Sequence, residues 1–562
     1  MKQSTTMPTS TPRAGALAKT FICFVTPALL VLSGLALPVG STAATLPTLP
    51  QVFDTTYTAP VGATISVASG GNLQNALNQA KLGDTIVLAA GASFTGPFTL
   101  PNKGSGSGWI YVRTSAYTSL PAPGTRVSQS DAKNMPKIVA PDSAPAVVTV
   151  NGSHHFRFVG IEFTNAPSMF TYNLVELGNG DTSTATLPNN LTFDRCLFLA
   201  DATATGVRRG LLANAAYVAV IDSDLEGFRE IGGDSQAIMA FNTSGPIKIV
   251  NNYIVGAAEN VLFGGGDSAN ATLVPADVEI RGNHLFKPLS WVGSQWVVKN
   301  LLELKAVKRA LITGNVLENN WAAGQTGFSL LVTPRNQDGT APWSVTEDVT
   351  ITSNRMINIG SGINILGSDN IHASQQTVRI LVKNNVLTAT GLNGAQGVLY
   401  QILGGPTDVT IDHNTAFGIN SFLFADGSAS QKALNFVFTN NIVTKGTYGL
   451  IGTGTGDGLG TLNTFFGNWN FTHNAVIGGT LTAYPTGNFS PSDVAAVKFA
   501  DFAGGDFHLA AASPFKGAAT DGTDLGADIA TLASASNSTQ PVAATPAPAA
   551  PRPLPPINVT VR

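Results

Sequence analysis

Eleven times between residues 161 and 474 the chain repeats one pattern of apolar and polar positions, apolar–x–apolar–x–x–Asn–x–apolar. The clearest copies are IKIVNNYI (247–254), VEIRGNHL (278–285), VTITSNRM (349–356), VTIDHNTA (409–416) and FVFTNNIV (436–443). The Asn position of the pattern falls on Ile161, Cys196, Ser223, Asn252, Asn283, Asn315, Asn354, Asn385, Asn414, Asn441 and Asn474, at intervals of 27 to 39 residues. Alternating apolar residues predict a strand with one buried face. A strand pattern repeated at this period predicts a solenoid. The Asn stands where the alternation breaks, so its amide can stack on the amide of the next coil and satisfy its own donors and acceptors inside the molecule. A second apolar strand precedes each copy, as in IMAF (238–241), NVLF (260–263), NLLEL (300–304), FSLLV (328–332) and LYQIL (399–403). One coil therefore holds two or three strands, and neighbouring coils pair in parallel. A sandwich of antiparallel hairpins would need short turn signals between copies, and the connections lack them.

These features resemble the secreted bacterial right-handed parallel β-helix proteins of the pectate-lyase-like superfamily, over residues 64–528. The resemblance implies an all-β solenoid of about eleven to thirteen coils with capped ends. GGNLQNALNQAKLGDTIVLAAGASFTGPFTL (70–100) is similar to the opening of such helices, where a short amphipathic helix, here Leu73–Leu82, plugs the first coil. Leu73, Ala76, Leu77 and Ala80 share one of its faces. DFHLAAASPFKGAATDGTDLGAD (506–528) is similar to the last coil. Caps matter because the end coils otherwise expose open strand edges.

Charge and termini narrow the setting. Only 12% of the 562 residues are charged and the formal net charge is −3, which gives no basis for nucleic-acid binding and no global field for a polyanion. Lys2, Arg13 and Lys19, then FICFVTPALLVLSGLALPV (21–39) and STAA (41–44), read as a signal peptide over 1–44, and the product as secreted or held at the cell surface. Pro27 and Pro38 argue against a retained membrane span. Cys196 is then the one cysteine of the mature chain, at an inward ladder position, where it reads as an inert buried thiol. Residues 533–556, rich in Ala, Pro and Ser, read as a linker, and 557–562 as a short tail. The chain is expected to be a monomer.

Outward side chains of stacked strands are the working surface of such a fold, and the richest block lies at 226–348. Asp234 and Gln236, Glu259 and Asn260, Asn300, and Gln325 precede the same strand in consecutive coils. Leu302 and Leu304 point inward by alternation, so Glu303 and Lys305 point out together. Glu318 and Arg335 belong to the same coils. The longest ladder interval, Asn315 to Asn354, contains NNWAAGQTGF and TPRNQDGTAPW. Four of the six tryptophans fall at 291, 296, 321 and 343. Outward Trp291, Trp296 and Trp321 could stack on sugar rings, with Gln236, Asn260, Glu318 and Gln325 bonding hydroxyls; the alternative is that they fill loop stems.

The partner expected of this surface is an extracellular polysaccharide. Asn…Glu-x-Lys is similar to alginate- and chondroitin-type β-helix lyases, in which acids that bind calcium neighbour a lysine base. The resemblance implies β-elimination on a uronic-acid polymer, with Lys305 as base, Arg335 neutralising the substrate carboxylate, and Glu259, Asn300 and Glu303 as calcium ligands. A carboxylate beside Lys305 raises its pKa and weakens it as a base unless a metal engages that carboxylate. Two alternatives stand: a non-catalytic carbohydrate-binding or adhesin-like surface, and a glycoside hydrolase, for which no carboxylate pair is marked out. TIDHN (410–414) resembles a pectate-lyase segment but sits in an ordinary repeat, without the downstream Arg-x-Pro-x-x-Arg.

Overall fold

The computed structural model describes residues 43–537 except 179 and 429. Most of the expected signal peptide, most of the linker and the tail at 557–562 lie outside the described residues. Three parallel sheets of 14, 13 and 12 strands wind through the chain, each coil contributing one strand to each sheet in turn. The protein is a parallel β-helix, with twelve complete coils set by the smallest sheet. Pairing runs in register from coil to coil, as where Ile249 lies between Val220 and Ile280.

Each sequence copy spans a corner. Its apolar half is a strand of the first sheet, such as Ile247–Val250, and its last residues open a strand of the second, such as Tyr253–Gly256. Between them stand one left-handed residue and the ladder residue. Asn251, Ser353, Asn384, His413, Asn440 and His473 have φ of 51° to 63° immediately before Asn252, Asn354, Asn385, Asn414, Asn441 and Asn474. Asn, Gly and other residues that accept this conformation recur there because β-branched side chains resist it.

The ladder forms as expected. The backbone N–H of each ladder residue from Cys196 to Asn474 donates to the side chain of the next coil: Cys196 to Ser223 Oγ, Ser223 to Asn252 Oδ1, and onward. Each amide Nδ2 also donates to the next Oδ1, as from Asn354 to Asn385 at 2.9 Å, and to a carbonyl of the preceding coil, Ile312 for Asn354. The column runs one step further than the repeat shows, to Asn488, which accepts from Asn474 at 3.0 Å. Cys196 is fully buried and its thiol is pushed up to about 12 by burial.

Inward aromatic rings stack toward both ends, Phe158 on Phe193 at 5.3 Å and Phe438 on Phe471 at 5.1 Å, with aliphatic residues between. The capping helix is Leu73–Gln79, its start held by Asn72, whose side chain accepts from Asn75 N–H. It ends before Leu82 because the Asp84 carboxylate takes the N–H groups of Lys81 and Ala63 and draws the chain into a turn. The far end is plugged by Leu462 and Tyr484. Residues 506–528 do not add another coil. They return along the outside of the second sheet, where Phe507, Phe515 and Leu525 join Phe417, Ile442 and Ala475 in a separate core. A helix, Ile529–Asn537, carries the chain into the segment read as linker. No helix among the described residues is long and apolar enough to cross a membrane.

Candidate functional site

The third sheet carries the side chains that the sequence singled out. Gln236 opens one strand, Gln236–Ala240; Glu259 opens the next, Glu259–Phe263; Asn300 and Glu303 belong to the coil of Leu302–Leu304. Gln236 and Glu259 are direct neighbours in register, and Gln236 Nε2 donates to Glu259 Oε2 at 2.8 Å. Asn300 Nδ2 donates to Glu303 Oε1 and, at 2.7 Å, to Gln325 Oε1 of the following coil. Lys305 Nζ lies 3.0 Å from Glu303 Oε2. Gln236 with Glu259, and Asn300 with Glu303, Lys305 and Gln325, thus form two adjacent polar groups, close enough for the charges of Glu303 and Lys305 to act on Glu259, and together they make up one floor. Gly264, with φ of +90°, makes room for it: a Cβ there would come 2.8 Å from Lys305 Cβ.

Glu303, Lys305 and Gln325 of this floor line a groove of about 630 Å³, together with Arg335, Asn364 and Asp426, while Gln236, Glu259 and Asn300 are buried and do not line it. Arg335 therefore shares the groove with Lys305. Its guanidinium is tied to Asp369 at 2.6 Å and to Asn370.

Burial sets the electrostatics. Glu259, Asn300 and Glu303 are fully buried. Burial, reinforced by the nearby Glu303 charge and opposed by Lys305, raises the Glu259 carboxyl to about 8. Burial lowers the Lys305 amine, but Glu303 and Glu259 outweigh it and hold the amine above its ordinary value. Three oxygens of this floor accept no hydrogen bond: Glu259 Oε1, Asn300 Oδ1 and Glu303 Oε2. The last is close enough to Lys305 for an ion pair, yet not aligned for a hydrogen bond. Orphaned buried oxygens of this kind suit a hard cation. No group of three His, Cys, Asp or Glu suited to a metal exists among the described residues; this set has two acids and an amide.

Other expected site residues lie elsewhere. Asn260 is buried away from the groove, its Nδ2 donating to the carbonyls of Ile254 and Phe286. Glu318 lies in the second sheet and pairs with His284 at 2.9 Å, a corner away from the groove. Trp321 is 1% exposed and packs with Ala257 and Val298, while Trp291 and Trp296 pack partly buried against that cluster. These rings fill the stem of the long turn that delivers Lys299 and Asn300, so the loop-stem alternative describes them.

Two further lysines border this site, Lys299, which the sequence does not mark, and Lys287, which lies in the same coils as the marked residues. Lys299 ion-pairs with Asp234 and lies 4.0 Å from Glu259 Oε1. Lys287 is wholly buried, and its ammonium donates to the carbonyls of Gly256, Ala257 and Ala258, at 2.7, 2.7 and 3.2 Å. Burial, against the pull of Glu259 and Glu303, brings it down to about 7. In sequence both sit in turn-like stretches, and their partners come from other coils.

No protein-family model matches this sequence, and no curated protein is significantly similar to it. Among solved structures the chain is similar to the PL6 family alginate lyase AlyGC, at 14% identity over 75% of this chain and 53% of that one, with a TM-score of 0.48. It spans about half of that protein's length. It is also similar to pectate lyase Pel9A, at 13% identity over 83% and 96% of the two chains with a TM-score of 0.32. A third is a mannuronic acid specific polysaccharide family 6 lyase from human gut microbiota, at 11% identity over 76% and 91% with a TM-score of 0.44. The parallel β-helix itself is read from the three stacked sheets of this chain.

Proposed function

We propose that this is an exported polysaccharide lyase that cleaves a uronic-acid polymer by β-elimination in the groove of the third sheet. The observation that carries the reading is a set of three buried oxygens that accept no hydrogen bond, on Glu259, Asn300 and Glu303, the last ion-paired with the Lys305 amine. Elimination needs a base for the proton on the carbon next to the carboxylate, and positive charge for the anion that results. Lys305 Nζ takes that proton. The electron pair forms a carbon–carbon double bond as the glycosidic C–O bond breaks, and the leaving oxygen takes a proton from solvent. Arg335 lies in the groove where a substrate carboxylate can exchange for Asp369.

Glu259, Asn300 and Glu303 would hold calcium through oxygen. Bound calcium would supply the charge that the substrate carboxylate needs and would engage Glu303. Lys305 is then no longer pinned as a cation by Glu303, which removes the objection that its raised pKa makes it a poor base. Hydrolysis has less support, because Glu259 and Glu303 are both fully buried and neither presents an open carboxyl to a glycosidic oxygen.

The test is incubation of the purified protein with alginate, pectate, chondroitin and neutral glycans, with and without calcium, while following the absorbance of unsaturated products. Turnover should require calcium and one acidic polymer, and Lys305→Ala should reduce it by about a hundredfold or more. Binding without product would favour the adhesin-like alternative. Unchanged turnover in both Lys305→Ala and Glu303→Ala would sink this site.

A further inference from the structure

The amino-terminal stretch does something the repeat pattern does not announce. Residues 45–58 form no strand, yet they lie extended along the outer face of the first sheet, from the strand Thr407–Asp412 back to the strand Ile110–Thr114. Ten strands of the sheet lie along that path. The stretch begins TLPTLPQ, a three-residue rhythm. Its first residues donate backbone N–H groups to three aspartates: Thr45 to Asp408 at 3.0 Å, Thr48 to Asp348 at 2.8 Å and Gln51 to Asp277 at 2.9 Å. These aspartates stand on alternate coils.

The spacing is matched on both sides. Three residues of a proline-set extended chain rise about 9.3 Å, and two coil steps climb about 9.6 Å. The aspartates share one column with Arg309, Arg379 and Asn435 of the coils between and beyond. Each aspartate Oδ1 that accepts a strap N–H also accepts from the next coil: Arg309 Nε on Asp277, Arg379 Nε on Asp348, Asn435 Nδ2 on Asp408. Asp277, Arg309, Asp348, Arg379, Asp408 and Asn435 all have φ near +55°, which lifts this column from the sheet face. Further along, the chemistry reverses. Strap carbonyls now accept, from Lys248 at Phe53, from Arg157 at Thr55 and from Tyr111 at Thr58.

We infer that residues 45–58 are a latch that closes after the coils have formed and binds the stack into one cooperative unit. Its aspartate partners follow it in the chain by 226, 300 and 363 residues, so its track exists only once those coils are wound. Contacts between coils join nearest neighbours, and an array held only by such contacts opens coil by coil. Hydrogen bonds from the latch reach six strands spread over that span of ten.

Replacing Thr45, Thr48 and Gln51 with proline tests this. Proline deletes the three N–H donors while keeping the extended φ and leaving the coils untouched. Thermolysin should cut the variant between Val52 and Phe53, a bond next to no substituted residue, at least tenfold faster than the parent. Guanidinium unfolding, one step in the parent, should separate into two, with hydrogen exchange showing the coils around Asp348 and Asp408 opening first. Equal cutting rates and a single shared transition would overturn the latch, as would a concentration-dependent dimer of the parent in which the stretch lies on a second copy. Asp348→Ala, which keeps Thr48 but removes its acceptor, should cut like the proline variant; if it stays resistant while folded, the aspartate track is not what holds the stretch.

Discussion

At the scale of single residues, the buried polar groups separate into those that are satisfied and those that are not. Asn385 accepts from both the backbone N–H and the Nδ2 of Asn354, and donates to Ile351. Asn385→Ala takes the side-chain partner from the Asn354 N–H and the Ile351 carbonyl, while Asn354 Nδ2 keeps Ile312, and should lower stability by about 2 kcal/mol in guanidinium unfolding. Glu259 behaves oppositely. Its carboxyl, raised to about 8 in the folded state, binds a proton more tightly than in the unfolded chain. Its stabilising contribution is whole below about 4.5 and is lost as pH rises through about 8. Glu259→Gln should therefore raise the unfolding free energy at pH 8 to 9 by about 1–2 kcal/mol, while abolishing calcium-dependent binding. A stabilised and inactive variant would mark a group kept for its chemistry. Lys287, lowered to about 7, is held neutral more readily than in the unfolded chain. Stability from this group grows as pH rises from about 7 toward the ordinary lysine value and is lost below. Lys287→Met should flatten that rising limb, and also cost about 1–3 kcal/mol because the three carbonyls it serves lose their donor.

At the scale of elements, the carboxyl-terminal return is the second segment that lies along several coils from outside. Gly526 N–H donates to Asn440, Ala527 to Thr415 and Asp528 to Asn384, three coils in succession. Asp412 and His413 of TIDHN belong to this attachment: His413 Nδ1 faces Asp412 at 2.8 Å and its Nε2 faces Thr523 at 3.1 Å. Those residues join the return to the solenoid, in keeping with their place in an ordinary repeat. Phe507→Ala removes a ring packed at 5.0 Å from Phe417 and should cost about 3–5 kcal/mol. Hydrogen exchange should show the loss confined to residues after Val494 and to the second-sheet strands they cover.

At the scale of the whole molecule, charge decides what the groove can attract. The formal net charge is −3, and the groove cations Lys305 and Arg335 each face a carboxylate, Glu303 and Asp369. A polyanion therefore finds little free positive potential, and screening leaves paired exposed charges weak at a distance. Affinity for an acidic polymer, measured by calorimetry, should be weak in chelator and should appear when calcium is added. Strong calcium-free binding with a steep salt dependence would contradict this reading.

The solenoid was legible in the sequence because its cause is local and repeated. A strand of alternating apolar residues, one left-handed corner and one inward amide suffice, and each coil restates them. Parity along NLLELKAVK likewise placed Glu303 and Lys305 on the outer face, since alternation depends on the strand alone. Depth was not legible. Trp321 read as a sugar platform or a loop-stem filler and is the filler, and nothing in the sequence marks Lys287 as fully buried, because burial depends on which other coils pass over a residue. The path of residues 45–58 was equally hidden. Its partners stand hundreds of residues away, and only the finished stack brings Asp277, Asp348 and Asp408 to the spacing that an extended chain can meet.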